Sequence, residues 1–306
     1  MFRERYQQAL AFKSLDVEEN IDRYFHRPVA AAIAALLLPT RVTPNQVTLS
    51  SLVAGWSGSF VLFQAFFLEE SPFYLWPLAG ALLFLAVILD CVDGQLARAK
   101  GGGSRVGRIL DGFVDVLVLV PAYVILGFGI KAHFGTTWIW IAALAGFSTW
   151  IHCIVYDKVK NLYLAQTMPS AGGGEGTETL ADVRADQAEA RENGSPLERF
   201  LLWVYVGYLQ VQEKLASGST DKVADKLSPL RIARFREKHC KTMRLASYLG
   251  LGTHMWIIYT GIALAAFDLR ALLAMQVLFA TVFNVVLFLV LLRPMKSESK
   301  EPAASR

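Results

Sequence analysis

Asp90 to Asp115 reads DCVDGQLARAKGGGSRVGRILDGFVD, and the rest of the 306-residue chain is read outward from it. Four carboxylates stand here at the ends of two long apolar runs, where an ionised side chain costs roughly 2.5 kcal/mol or more at the bilayer centre. Asp90 and Asp93 are i,i+3 at the end of one run, and Asp111 and Asp115 are i,i+4 at the start of the next. Each pair therefore shares one helix face. A polar turn containing Gly101, Gly102 and Gly103 separates the runs, so the two helices can return antiparallel with the acid pairs opposed. At about 1.5 Å rise per residue, the four acids then converge at similar depth, close inside the membrane surface.

Four carboxylates in one small space cannot all stay ionised without a partner. Cations relieve both the burial and the repulsion. Hard oxygen ligands with no His or Cys among them suit Mg²⁺ or Mn²⁺ and disfavour zinc. Two such ions would clamp a bridging phosphate. The competing structural reading pairs the acids with Arg98, Arg105 and Arg108, which leaves the regular spacing without a cause.

The same residues carry a family resemblance. The pattern D-x2-D-G-x2-A-R-x8-G-x3-D-x3-D is met by Asp90, Asp93, Gly94, Ala97, Arg98, Gly107, Asp111 and Asp115. The chain thereby resembles the CDP-alcohol phosphatidyltransferase family of integral membrane enzymes, well over residues 40–160 and in outline elsewhere. The resemblance implies that Asp90 and Asp111 touch both of two Mg²⁺ or Mn²⁺ ions, Asp93 one and Asp115 the other. It makes Asp115 the general base for an alcohol attacking the β-phosphorus of a CDP-linked donor, with CMP leaving. It places Asn45, Gln46, Val47 and Thr48 along the cytidine pocket and Ser104 on the nucleotide. Gly94 would let the nucleotide approach closely, and the fork of Arg98 suits a phosphate oxygen. Family precedent also implies a homodimer.

Composition agrees with a polytopic membrane protein: 54% hydrophobic residues and a mean hydropathy of +0.38 are too apolar for an ordinary soluble domain. The net charge of +4 does not imply nucleic acid, because the basic residues track topology. Cys91, Cys153 and Cys240 are widely separated and form neither a metal pattern nor a disulfide framework. The N-terminus is of mixed charge and lacks a signal-peptide core.

The expected fold is all-α with six transmembrane helices. Residues 1–41 form an N-terminal interfacial segment, including Val29 to Leu38, which is too short to span. Residues 42–160 form the catalytic core with spans Val42–Leu68, Ser71–Leu89, Arg108–Ile130 and Phe134–Tyr156. A cytoplasmic connection follows at 161–242. Spans Leu245–Phe267 and Ala271–Leu292 occupy 243–293, and a cytoplasmic tail occupies 294–306. With the N-terminus inside, 28 of the 30 Lys and Arg residues are cytoplasmic, which puts the acid motif and both termini on that side of the cell membrane.

Within the long connection, Ser170 to Gly194 is Gly-rich and acidic and is expected to be flexible and dispensable. Ser195 should cap a helix Pro196–Leu215, with Glu198 reaching back. Arg231 to Arg244 carries six basic residues and should attract anionic lipid headgroups. Lys158 and Lys160 either bind a phosphate on the acceptor or anchor the helix, and the anchor is favoured. His254 reads as a hydrogen-bonded core histidine.

These features point to transfer from a CDP-linked donor, CDP-diacylglycerol before a soluble CDP-choline or CDP-ethanolamine type, to an alcohol acceptor among membrane lipids. A divalent-cation transporter is the rival class, since intramembrane carboxylates also mark ion pathways. An inactive scaffold is a third, which the intact acids disfavour.

Overall fold

The structure is a computed structural model and describes residues 2–10, 14–102, 105–168, 180–215 and 228–295. Their regular structure is all helical, with no strand among them. In order, the helices are α1 (Phe2–Leu10), α2 (Arg27–Leu37), α3 (Pro44–Phe67), α4 (Leu75–Ala99), α5 (Arg105–Phe134) and α6 (Thr137–Thr167). There follow α7 (Leu180–Asn193), α8 (Pro196–Leu215), α9 (Pro229–Ala246), α10 (Leu251–Leu264), α11 (Arg270–Ala280) and α12 (Val282–Leu291). A π-helical turn, Asp22–His26, leads into α2.

Among the described residues, five stretches are long and apolar enough to cross a membrane: Pro44–Phe67, Leu75–Ala99, Ile109–Phe134, Thr137–Thr167 and Arg270–Leu291. The fifth of the six expected spans, Leu245–Phe267, is broken. Gly250 is extended between a single 3₁₀ turn, Ser247–Leu249, and the 14-residue α10. At about 1.5 Å per residue α10 rises roughly 21 Å, short of a hydrocarbon core of about 30 Å. The last stretch is interrupted too, at Thr281, where φ −123° and ψ −75° separate α11 from α12.

The chain forms two compact units. The first comprises Met1–Lys13, Glu19–Trp150 and Leu251–Asn284. Its α3 begins at a capping box: Thr43 Oγ1 accepts from Gln46 N (3.3 Å), Gln46 Oε1 accepts from Thr43 N (2.9 Å), and Pro44 takes the first helical position. Between α4 and α5 the chain turns through Gly101 (φ +104°) and Gly102 (φ +108°), a region side chains with a Cβ avoid. Lys100 Nζ ties this turn to the α2–α3 link by donating to the carbonyls of Thr40 (3.0 Å) and Val42 (2.7 Å). Gln8 Nε2 on α1 donates to Ala99 O at the end of α4 (3.1 Å).

The N-terminal segment is packed rather than merely appended. Ala30, Ala31 and Ala34 on α2 are fully buried against Ile88, Val92 and Leu96 on α4, with Ala9 of α1 in the same cluster. Glu19 caps α10: its carboxylate accepts from Gly252 N (3.2 Å), Thr253 N (2.7 Å) and Thr253 Oγ1 (2.7 Å). Those are first-turn donors with no partner inside the helix. Burial, then the charge of Asp22, pushes the Glu19 carboxyl up to about 8, and the Thr253 and Gly252 donors oppose that push. Behind it, His26 links Asp22 Oδ1 (Nδ1, 2.7 Å) to the Tyr259 hydroxyl of α10 (Nε2, 3.0 Å).

The second unit comprises Ser14–Glu18, Ile151–Gly250 and Val285–Arg306. Here the expectation of a flexible stretch through Gly194 is corrected. Leu180–Asn193 is helix α7, with Val183 and Ala190 buried seven residues apart on one face. It forms a hairpin with α8, closed by Arg199 Nε donating to Ala190 O (3.0 Å) and Gly194 O (3.1 Å). Residues 169–179, the remainder of that stretch, lie outside the described residues, as does the tail from 296. α8 has the expected bounds, with Ser195 Oγ accepting from Glu198 N (3.2 Å). α9 buries Phe235, His239, Thr242 and Met243 and exposes Arg234, Lys238 and Lys241. Its Arg236 pairs with Asp16 at 3.4 Å, and Arg244 donates to Glu18 O and Leu15 O (each 3.3 Å), so part of its charge is spent inside the unit.

Candidate active site

The glycine turn reverses the chain so that the acid face of α4 meets that of α5. One carboxylate oxygen from each of Asp90, Asp93 and Asp111 lies within 4.8 Å of the other two. Asp111 makes hydrogen-bond contacts with both Asp90 and Asp93. Two carboxyls can meet so only if one holds a proton or a cation stands between them. Among the described residues, Asp90 Oδ1 and Asp111 Oδ1 are buried with no hydrogen-bond partner. Orphaned acceptors of this kind are costly, and a divalent ion would satisfy them. The donor set fits Mg²⁺ or Mn²⁺, being all oxygen with no thiolate or imidazole. Asp115 lies one turn further along α5, half-buried, outside the close trio but near enough for its charge to act on Asp90.

Gly94 and Arg98 are neighbours on the next turn of α4. Among the described residues, a Cβ built on Gly94 would meet only the Arg98 guanidinium, at 3.4 Å, so their packing does not demand a glycine there. The space is left beside the carboxylates. The charge of Arg98 is felt by both Asp93 and Asp111.

The four residues expected along the nucleotide pocket separate. Asn45 is exposed. Gln46 closes the capping box of α3, and Val47 is buried in the core formed by α1, α2 and α4, so both have local structural work. Thr48 alone reaches the acids: its hydroxyl lies 2.5 Å from Asp93 Oδ2. The Pro44 carbonyl is 3.2 Å away, and the single hydroxyl proton goes to the closer carboxylate. Thr48 thus orients Asp93, a role no sequence spacing announces because the two are 45 residues apart. Thr48→Val is expected to weaken Mn²⁺ binding about tenfold or more, the range for groups that orient a metal ligand, while Thr48→Ser retains it. Titration of Mn²⁺ followed by electron paramagnetic resonance checks this, and equal affinities for Val and Ser would refute it.

Ser104 lies outside the described residues. Lys158 and Lys160 belong to the second unit. Lys160 pairs with Asp157 at 3.0 Å and lies over the Tyr156 ring, and Lys158 is buried. His254 is fully buried between Phe279 and Phe283, a core position.

Comparison with known proteins agrees with this geometry. A bifunctional IPC transferase and DIPP synthase of Archaeoglobus fulgidus is 39% identical over 103 residues, 32% of this chain and 19% of that protein. A phosphatidylinositol phosphate synthase of Mycobacterium marinum is 33% identical over 87 residues, 28% and 34% of the two chains. Cholinephosphotransferase 1 of Gallus gallus is 29% identical over 113 residues, 36% and 33%. The matched segments thus cover about a fifth to a third of these relatives. The sequence profile of CDP-alcohol phosphatidyltransferases, by contrast, matches residues 41–217, more than half of the chain and all four aspartates, and the protein belongs to that family.

Proposed function

We propose that the protein transfers a phosphatidyl, or other substituted phosphate, group from a CDP-linked donor to an alcohol hydroxyl, releasing CMP, in phospholipid synthesis. The observation that carries the reading is the Asp90–Asp93–Asp111 cluster with Asp115 one turn beyond it. Asp90 and Asp111 would hold both of two Mg²⁺ or Mn²⁺ ions, Asp93 one and Asp115 the other. When bound, these ions supply positive charge against the phosphates. The chain's own residues do the rest. Gly94 leaves room for the nucleotide against α4. Arg98 offers its guanidinium to a phosphate oxygen. Asp115 takes the proton of the acceptor hydroxyl as its oxygen forms the new P–O bond and the bond to CMP breaks.

The relative named as a phosphatidylinositol phosphate synthase favours CDP-diacylglycerol as donor and a polar alcohol as acceptor. The one named as a cholinephosphotransferase favours the reverse, a soluble CDP-alcohol with diacylglycerol. The acid motif serves the shared CDP part in either case. The positive-inside count favours this motif and both termini on the cytoplasmic side, a reading that requires the chain around α10, although α10 alone is short, to complete a sixth crossing.

Purified protein should release CMP from CDP-diacylglycerol with Mn²⁺ and an alcohol panel of inositol phosphate, glycerol phosphate, inositol and serine. CDP-choline with diacylglycerol forms the second arm. No CMP in either arm, together with Mn²⁺ uptake into proteoliposomes, would overturn the enzyme reading in favour of a transporter.

A further inference from the structure

α5 carries Pro121 in its interior. In an α-helix the N–H of residue 121 would bond the carbonyl of Leu117, and proline has no N–H. The Leu117 carbonyl is therefore freed two residues past Asp115. It is not left alone: Trp56 Nε1 on α3 donates to it at 2.9 Å.

The surroundings make this bond necessary. Trp56 belongs to an exposed apolar stripe of α3 with Leu49, Val53 and Phe60, and α5 alongside exposes Val116 and Val120. On membrane-spanning helices such stripes face lipid tails, where no water can take up a freed carbonyl. The helices also touch closely here. A Cβ at Gly55 would come within 2.6 Å of the Val118 side chain, so glycine lets α3 and α5 approach at the level of the bond.

Interior proline is one of the few recognised causes of a helix kink, because it interrupts the backbone ladder. Asp111 and Asp115 lie N-terminal to Pro121, and the indole grips a carbonyl on that same side. α3 meanwhile holds Asp93 of α4 through Thr48. One helix thus engages both acid-bearing helices by side-chain hydrogen bonds, two turns apart along its length.

We propose that Trp56 is a positioning residue: by taking the carbonyl that Pro121 frees, it fixes the acid-bearing end of α5 in register with α4. The proposal rests on the reading of the aspartates as a divalent-cation site. Its consequence is a coupling between two residues that do not bond each other. Trp56 matters only while residue 121 lacks its N–H. An alanine at 121 would donate to Leu117 O and make the indole redundant.

The test compares wild type, Trp56→Phe, Pro121→Ala and the double variant in detergent micelles. Mn²⁺ affinity without donor and thermal unfolding are both read. Trp56→Phe should weaken Mn²⁺ binding roughly tenfold, the size of one acceptor left unsatisfied, and lower the unfolding temperature. In the Pro121→Ala background the same change should alter Mn²⁺ affinity less than twofold. Benzothienylalanine at position 56, which keeps the ring shape without the donor, should behave like Phe and excludes a packing explanation. Equal losses in both backgrounds, or wild-type affinity with benzothienylalanine, would overturn the proposal. A wild type that binds no Mn²⁺ sinks the cation-site reading and the positioning role with it. A wild type that binds while all variants match it sinks the positioning role alone.

Discussion

Asp111→Ala and Asp90→Ala should each reduce CMP release about 10³-fold or more, and excess Mn²⁺ should not restore it. Groups that stabilise charge at a reacting centre contribute roughly 10²–10³ each, and these two do more. Each has a buried oxygen without a hydrogen-bond partner among the described residues, and each contributes to the trio within 4.8 Å. Removing either deletes a ligand proposed to be shared by two ions, so both positions are lost together. The decisive measurement is Mn²⁺ binding by electron paramagnetic resonance alongside the rate. Full rescue of either alanine variant by added metal would mean that these carboxylates are peripheral. The membrane context also gives the variants a distinctive stability effect: with one buried carboxylate fewer and no ion bound, they should unfold at a temperature equal to or above that of the metal-free wild type.

The aspartates were legible in the sequence because every step from spacing to contact is local. The i,i+3 and i,i+4 intervals put each pair on one face, and Gly101 and Gly102 supply the positive φ that brings the faces together. The bounds of α8 were equally plain, since Ser195 caps a strongly amphipathic run. α7 escaped notice for the opposite reason. Its charge suggested a solvated loop, and only Val183 and Ala190 are buried. Yet its Ala, Glu, Gln and Arg residues are good helix formers, and that propensity was the available signal. The shortened α10 was hidden because a hydropathy window averages over Gly250. Thr48 on Asp93 and Trp56 on Leu117 O join residues 45 and 61 positions apart, and periodicity within one helix says nothing about such bonds. Even so, Pro121 inside an otherwise apolar span announces in advance that one carbonyl of α5 needs an outside donor.

Asp115→Asn should leave membrane insertion and donor binding largely intact while turnover falls by about 10² to 10⁴, the usual contribution of a general base. The amide keeps the size and an acceptor oxygen but cannot take a proton at neutral pH. Asp115 is suited to the part because it lies one turn beyond the trio, half-buried, with Asp90, Asp93 and Asp111 already grouped without it. A group wholly enclosed among other carboxylates would have no path to an incoming hydroxyl. The pH profile separates this role from simple loss of a ligand. The wild-type rate should fall towards acid as the base takes up a proton, and the Asn variant should lack that limb. A ligand defect would instead raise the Mn²⁺ concentration needed for half-maximal rate and keep the limb. Near wild-type turnover, or an unchanged acid limb on a slow enzyme, would remove Asp115 from the role of base and leave the acceptor proton to be taken by another group.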